Sequence, residues 1–300
     1  MSDPASPELS TAGSSSSDAE KVPWYLWVNL LSLDAVAVAV VWLWCFSVCE
    51  HVPILRPIYI LLGLVVWLVY TLDRLMDALR MKDEVCSTPR HRFAKRFFVP
   101  LVLLCVVVAA VAIWMILYKV PFAIVPRGLM ISLSIVLYFL IRLAPRSQAQ
   151  VILPKEIFCG LIFALGTTFV VHELPNNFPL GIMTAEFILF AALCALNCIA
   201  ISVWECEEDA VNDQGKSIVH NWSGVHIWYT KAAFLLAGIS AWLGIRGAPD
   251  FMAPILVSVA LSAALIGALG LAEGVLSKNL RRVLADVALL SPLAVVPILT

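Results

Sequence analysis

Residues 97–118 read FFVPLVLLCVVVAAVAIWMILY. No charge interrupts the run from Phe97 to Tyr118. About 18 or more apolar residues with few charges read as a helix long enough to cross bilayer hydrocarbon. The run lacks the period-2 alternation of a membrane barrel strand. Similar runs lie on both sides of it. Upstream are Trp24–Val48 and Pro53–Leu72. Downstream are Pro121–Ile141, Ile157–Val171, Leu180–Trp204, His226–Ile245, Phe251–Ala272 and Val283–Thr300. Together they predict an all-α integral membrane protein, a bundle of about nine transmembrane helices. Composition agrees, with 61% hydrophobic and 14% charged residues. A soluble domain is about half apolar and a quarter charged. Trp24, Trp27, Trp204, Trp222, Trp228 and Trp242 fall near run ends, where amphipathic rings anchor at the interface. Gly267, Gly270 and Gly274 let the eighth helix approach a neighbour closely.

The chain divides into two parts. Residues 1–22 are rich in Ser, Ala, Pro and acids, with serine at every position from Ser14 to Ser17. Such a segment buries too little apolar surface to fold and is expected to be a disordered cytoplasmic tail. It lacks the basic start of a signal peptide. Residues 23–300 form the transmembrane domain.

Charge asymmetry orients the bundle. The tail and the loops after spans two, four, six and eight hold fifteen Lys and Arg, and the other loops hold four. The positive-inside rule places the N-terminus and the first set of loops in the cytoplasm. The net charge of −1 comes with no basic stripe, which argues against a nucleic-acid partner. The eight cysteines form no CxxC and the five histidines no HExxH, so neither set spells a zinc site. Cys45/Cys49 and Cys194/Cys198 read as small packing residues in lipid.

Two acid clusters carry the chemistry. Asp73 and Asp77 follow span two, in Tyr70-Thr71-Leu72-Asp73-Arg74-Leu75-Met76-Asp77. Glu205 and Asp209 follow span six, in Trp204-Glu205-Cys206-Glu207-Glu208-Asp209. If the helices continue, each pair lies on one face with side chains about 5–6 Å apart. Like charges so placed repel unless a cation lies between them. Hard oxygens suit Mg²⁺, which bridges one or two carboxylates to substrate phosphates. Four spans separate the clusters, an even number, so both return to the same membrane face. The alternative is that these are solvated acids at helix ends. Lys155, in Leu153-Pro154-Lys155-Glu156, either pairs with a phosphate or snorkels to the interface.

These residues resemble the UbiA superfamily of intramembrane prenyltransferases. Asp73-Arg74-Leu75-Met76-Asp77 matches the last five positions of that family's Asn-Asp-x-x-Asp-x-x-x-Asp motif. Glu205, Asp209 and Gly215-Lys216-Ser217 match its second motif, and Lys155 with the small-residue stretch Gly160–Gly166 matches its fifth helix. The resemblance covers residues 24–300. The family's leading Asn-Asp falls on Val69-Tyr70, and Glu205 replaces the first aspartate of the second motif. The resemblance implies that Asp73, Asp77, Glu205 and Asp209 hold Mg²⁺ against an isoprenyl diphosphate. Lys155, Lys216, Arg90 and Lys82 would neutralise the remaining phosphate charge. The prenyl group would pass to an acceptor, aromatic or lipid-like, that this reading does not name.

Asp34, Glu186, Glu273 and Asp286 lie within or beside apolar runs. Intramembrane acids mark functional sites by default, and Asp34 is placed in the acceptor pocket. Asp34 and Glu186 also keep a carrier or channel open as an alternative. The loss of Asn-Asp keeps open a non-catalytic, lipid-binding relative.

Overall fold

The structure is a computed structural model describing residues 26–80, 89–143, 155–174, 180–211, 224–246, 249 and 251–300. Lys82 and Lys216, and the tail expected at 1–22, lie outside the described residues. The chain forms helices α1 (Leu26–Leu30), α2 (Leu33–Cys49), α3 (Arg56–Arg80), α4 (Pro89–Arg96), α5 (Phe98–Lys119), α6 (Val125–Leu143) and α7 (Lys155–Glu173). They continue with α8 (Ala185–Val211), α9 (Val225–Arg246), α10 (Ala253–Leu271), α11 (Lys278–Ala288) and α12 (Pro292–Leu299). Among the described residues, seven helical stretches, α11 and α12 counted together as one, are long and apolar enough to cross a membrane. This is an all-α, multi-pass membrane-type protein. Two of the nine expected runs fall outside that seven. One is cut short, leaving Leu33–Cys49 with 17 residues. The other is α9, whose apolar run is diluted by Tyr229, Thr230 and Lys231.

The core sits between α2, α7, α8 and α10. Trp42 of α2 stacks on Phe190 of α8 at 4.3 Å between centroids, and Phe46 tilts against the same ring at 5.5 Å. α7 and α8 form one antiparallel hairpin, α9 and α10 another. The tightest approach is Gly160 of α7, where a Cβ would lie 2.3 Å from the Ala195 nitrogen of α8. The shell is thinner on the other side. The apolar stretches of α8 and α10 are 56% buried, that of α6 only 6%. One face of α6, with Met130, Leu133, Val136, Leu137 and Leu140, is exposed apolar surface of the kind lipid covers.

Two expected spans are broken, and both breaks are chemically closed. Inside a bilayer, non-helical backbone survives only if its polar groups find partners. The first run breaks at Leu31–Ser32, where Ser32 adopts a left-handed conformation at φ 57. Arg74 Nη1 donates to Asn29 O at 2.6 Å and to Leu30 O at 3.0 Å. Trp67 Nε1 donates to Leu31 O at 2.9 Å. The last run begins earlier than expected, at Lys278 rather than Val283, because Ser277 caps it by accepting from the Leu280 amide. Arg281 and Arg282, expected in a loop, are therefore helical and buried. That run breaks after Ala288. Ser262 Oγ donates to Ala288 O at 2.8 Å, and Trp42 Nε1 donates to Leu289 O at 2.8 Å.

Candidate functional site

α3 and α8 both run past the apolar stretch that defines them. α3 continues to Arg80 and α8 to Val211. Asp73 and Asp77 are thus one helical turn apart on a single face. Both line a cavity of about 460 Å³ between α2, α3, α6, α7, α8 and α11. On α3 the lining residues run from Ile58 to Asp77. At 1.5 Å per residue that is about 28 Å, close to the hydrocarbon thickness of a bilayer.

The cavity is polar at one end and apolar at the other. Asp73, Arg74, Asp77, Lys155 and Arg282 line the polar end. Leu43, Ile58, Ile124 and Val170 line the apolar end. The antiparallel course of α3 and α7 produces this polarity. α3 enters at the apolar end and leaves through Asp73 and Asp77. α7 begins at Lys155 and descends through Phe163 and Gly166 to Val170. Such a slot is shaped for a ligand with a charged head and a long apolar tail.

The expected residues fare unequally. Asp73, Asp77 and Lys155, from two helices, all line the cavity. The backbone of α8 carries the line of Cys198 and Ser202, which face the cavity, onward through positions 205 and 209. The Glu205 and Asp209 side chains lie outside the described residues, as does that of Arg90 on α4. Of the intramembrane acids, Asp34 and Asp286 line the cavity, whereas Glu186 and Glu273 do not. Glu186 is buried in the first turn of α8. Glu273 lies 3.7 Å from Arg281 and is half exposed. Sequence reasoning gave no site role to Arg282, Tyr70 or Asn197, which also line the cavity. The Arg282–Asp286 spacing of four, on one helix face, was the available signal.

Arg74 has a job the motif alone does not reveal. Its guanidinium ties the carbonyls at the end of α1 to α3, beside Asp73. Asn29 Nδ2 in turn donates to Asp34 Oδ2 at 2.5 Å. The break in the first run is therefore part of the cavity wall.

Fold and cavity define the class: an all-helical membrane-type protein with an amphiphile-shaped internal slot. No family model, curated protein or solved structure matches the chain.

Proposed function

We propose that the chain is a UbiA-type prenyltransferase, moving an isoprenyl group from its diphosphate to an acceptor within the membrane. The observation that carries this reading is the slot with Asp73, Asp77 and Lys155 at its polar end and an apolar run below them. In this reading all nine runs cross the bilayer, and the N-terminus and both acid motifs face the cytoplasm.

The donor set suits Mg²⁺. Among the described residues no three of His, Cys, Asp and Glu converge as a self-contained metal site. A pair of carboxylates is what Mg²⁺ uses when waters and substrate phosphates complete its shell. Asp73 and Asp77 would supply that pair, with Glu205 and Asp209 as their counterparts from α8. The ion, when bound, would offset charge on the departing diphosphate. Lys155 places a further positive charge at the same end. The apolar walls seat the isoprenoid tail and keep water from the reacting carbon.

The test is Mg²⁺-dependent binding of geranylgeranyl diphosphate to the purified chain, beside Asp73→Ala and Asp209→Ala. Binding that needs Mg²⁺ and falls at least tenfold in both variants is expected. Wild-type binding indifferent to Mg²⁺ and to both aspartates would sink the reading.

One observation favours a carrier instead. The break at Leu31–Ser32 opens beside the cavity, and broken helices often mark transport sites. Solute flux in proteoliposomes that survives loss of Asp73 and Asp77 would support that alternative.

A further inference from the structure

Local sequence opposes helix at the end of α8, yet the helix persists there. Beyond Trp204 it continues for about two turns, to Val211. Glu205, Glu207, Glu208 and Asp209 fall in those turns, and no Lys or Arg does. Glu205 repels Asp209 four residues on and Glu208 three residues on, and such like-charged pairs weaken a helix. The acids also sit at the C-terminal end, where the helix dipole disfavours negative charge. Support for these turns must come from outside them.

Trp204 is where that support attaches. It is buried at the base of the acidic turns and held from α9 and α11. Its Nε1 donates to the Tyr229 hydroxyl of α9 at 3.0 Å, and the two rings meet edge to face. From α11, the Arg281 guanidinium lies over the Trp204 ring, 5.2 Å from its centroid. α10 closes on this group at Gly270, where an added Cβ would fall 2.6 Å from the Tyr229 hydroxyl. A larger residue there would push Tyr229 off its hydrogen bond.

Arg281 is placed to hold Trp204 and not to line the slot. Arg282, its neighbour, lines the slot, and Arg281 does not. Consecutive residues on a helix diverge by about 100°. Arg281 is 3% exposed, and among the described residues its Nε and Nη1 have no hydrogen-bond partner. Glu273 stands 3.7 Å from Nη1, half exposed to solvent. Attraction between a guanidinium and a ring is strongest when the cation is out of water, as it is here. The positive charge also has the sign that the end of α8 needs.

We propose that Arg281 and Tyr229 are positioning residues: they grip Trp204 from two sides and so hold the acidic turns of α8, which carry Glu205 and Asp209, in helical form. The consequence for Mg²⁺ rests on the prenyl-transfer reading above. The grip itself does not.

The test compares the full wild-type chain with Arg281→Met, Arg281→Lys and Tyr229→Phe in nanodiscs. Amide hydrogen exchange is read over residues 205–211, with α10 as the reference. Arg281→Met keeps bulk and removes the charge. It is expected to speed exchange at 205–211 at least tenfold while α10 changes less than twofold. Tyr229→Phe removes only the acceptor and is expected to speed it about three- to tenfold. Arg281→Lys is expected to recover most of the protection. Exchange at 205–211 that is equal in wild type, Arg281→Met and Tyr229→Phe overturns the grip, as does a rise that α10 shares equally. If Arg281→Met fails to fold, Tyr229→Phe decides alone.

A second readout separates position from charge. Arg281→Met takes a positive charge away from the acids, which by Coulomb attraction alone would let Mg²⁺ act at lower concentration. Loss of position acts in the opposite direction. The Mg²⁺ needed for half-maximal geranylgeranyl diphosphate binding is therefore expected to rise at least threefold in Arg281→Met. It is expected to rise in Tyr229→Phe as well, where no charge changes. A fall in Arg281→Met with no change in Tyr229→Phe would reduce Arg281 to a nearby charge and overturn the proposal. If wild type binds no diphosphate but exchange at 205–211 responds as expected, the transfer reading fails and the grip stands.

Discussion

Replacing Gly160 by alanine probes the contact on which the site depends. The added Cβ would lie 2.3 Å from the Ala195 nitrogen, 2.5 Å from its Cα and 2.8 Å from the Cys194 carbonyl carbon. All three are backbone atoms, so no side chain can rotate away. Ordinary contact begins near 3.4 Å, so α7 and α8 must separate by about an ångström. Overpacking of this kind costs about 1–3 kcal/mol or more. Within lipid, close helix packing is a main source of association, so there is little else to offset the loss. The same shift would move Lys155 on α7 away from the end of α8, weakening whatever both helices hold. The assay is reversible unfolding in mixed micelles by increasing detergent denaturant. Gly238→Ala on α9 is the control, because no atom lies within 4 Å of its added Cβ. Gly160→Ala is expected to lose at least 1 kcal/mol and Gly238→Ala to be neutral or slightly more stable. If the two variants unfold at the same midpoint, the close approach of α7 and α8 is wrong.

Three further outcomes follow from the two helix breaks and the core. Trp42→Ala removes a fully buried ring and the donor to Leu289 O, and should cost about 3–5 kcal/mol in the same unfolding assay. Arg74→Ala strands the Asn29 and Leu30 carbonyls. It should lower stability by about 2 kcal/mol and raise amide exchange in α1 before it affects α10. Ser32→Gly relieves a left-handed residue and should raise stability by up to about 1 kcal/mol. A loss there would mean that the Ser32 hydroxyl matters more than its backbone.

How much was legible in the linear chain depends on what each feature needs. Asp73 and Asp77 were readable because their relation is local: four residues on one helix are always on one face. Lys155 was readable as the start of a helix because Pro154 precedes it and an apolar run follows from Ile157. The break at Ser32 was not readable. Nothing in Leu31-Ser32-Leu33 breaks a helix by itself. The break exists because Arg74 and Trp67, far along the chain, satisfy the carbonyls it frees. The start of α11 was misplaced because Arg281 and Arg282 look like loop charges until tertiary packing buries them.

By itself, then, the amino-acid order determined the class of the protein. Long uncharged runs have nowhere to go but lipid, and the fourfold spacing of acids needs only helix geometry. The tertiary structure alone decided which polar residues share a space. Asp34 and Asp286 have no local relation. Both line one cavity because α2 and α11 pack against each other beside it. Burial forces polar residues on separate helices to find one another, and only the packed bundle fixes which ones do.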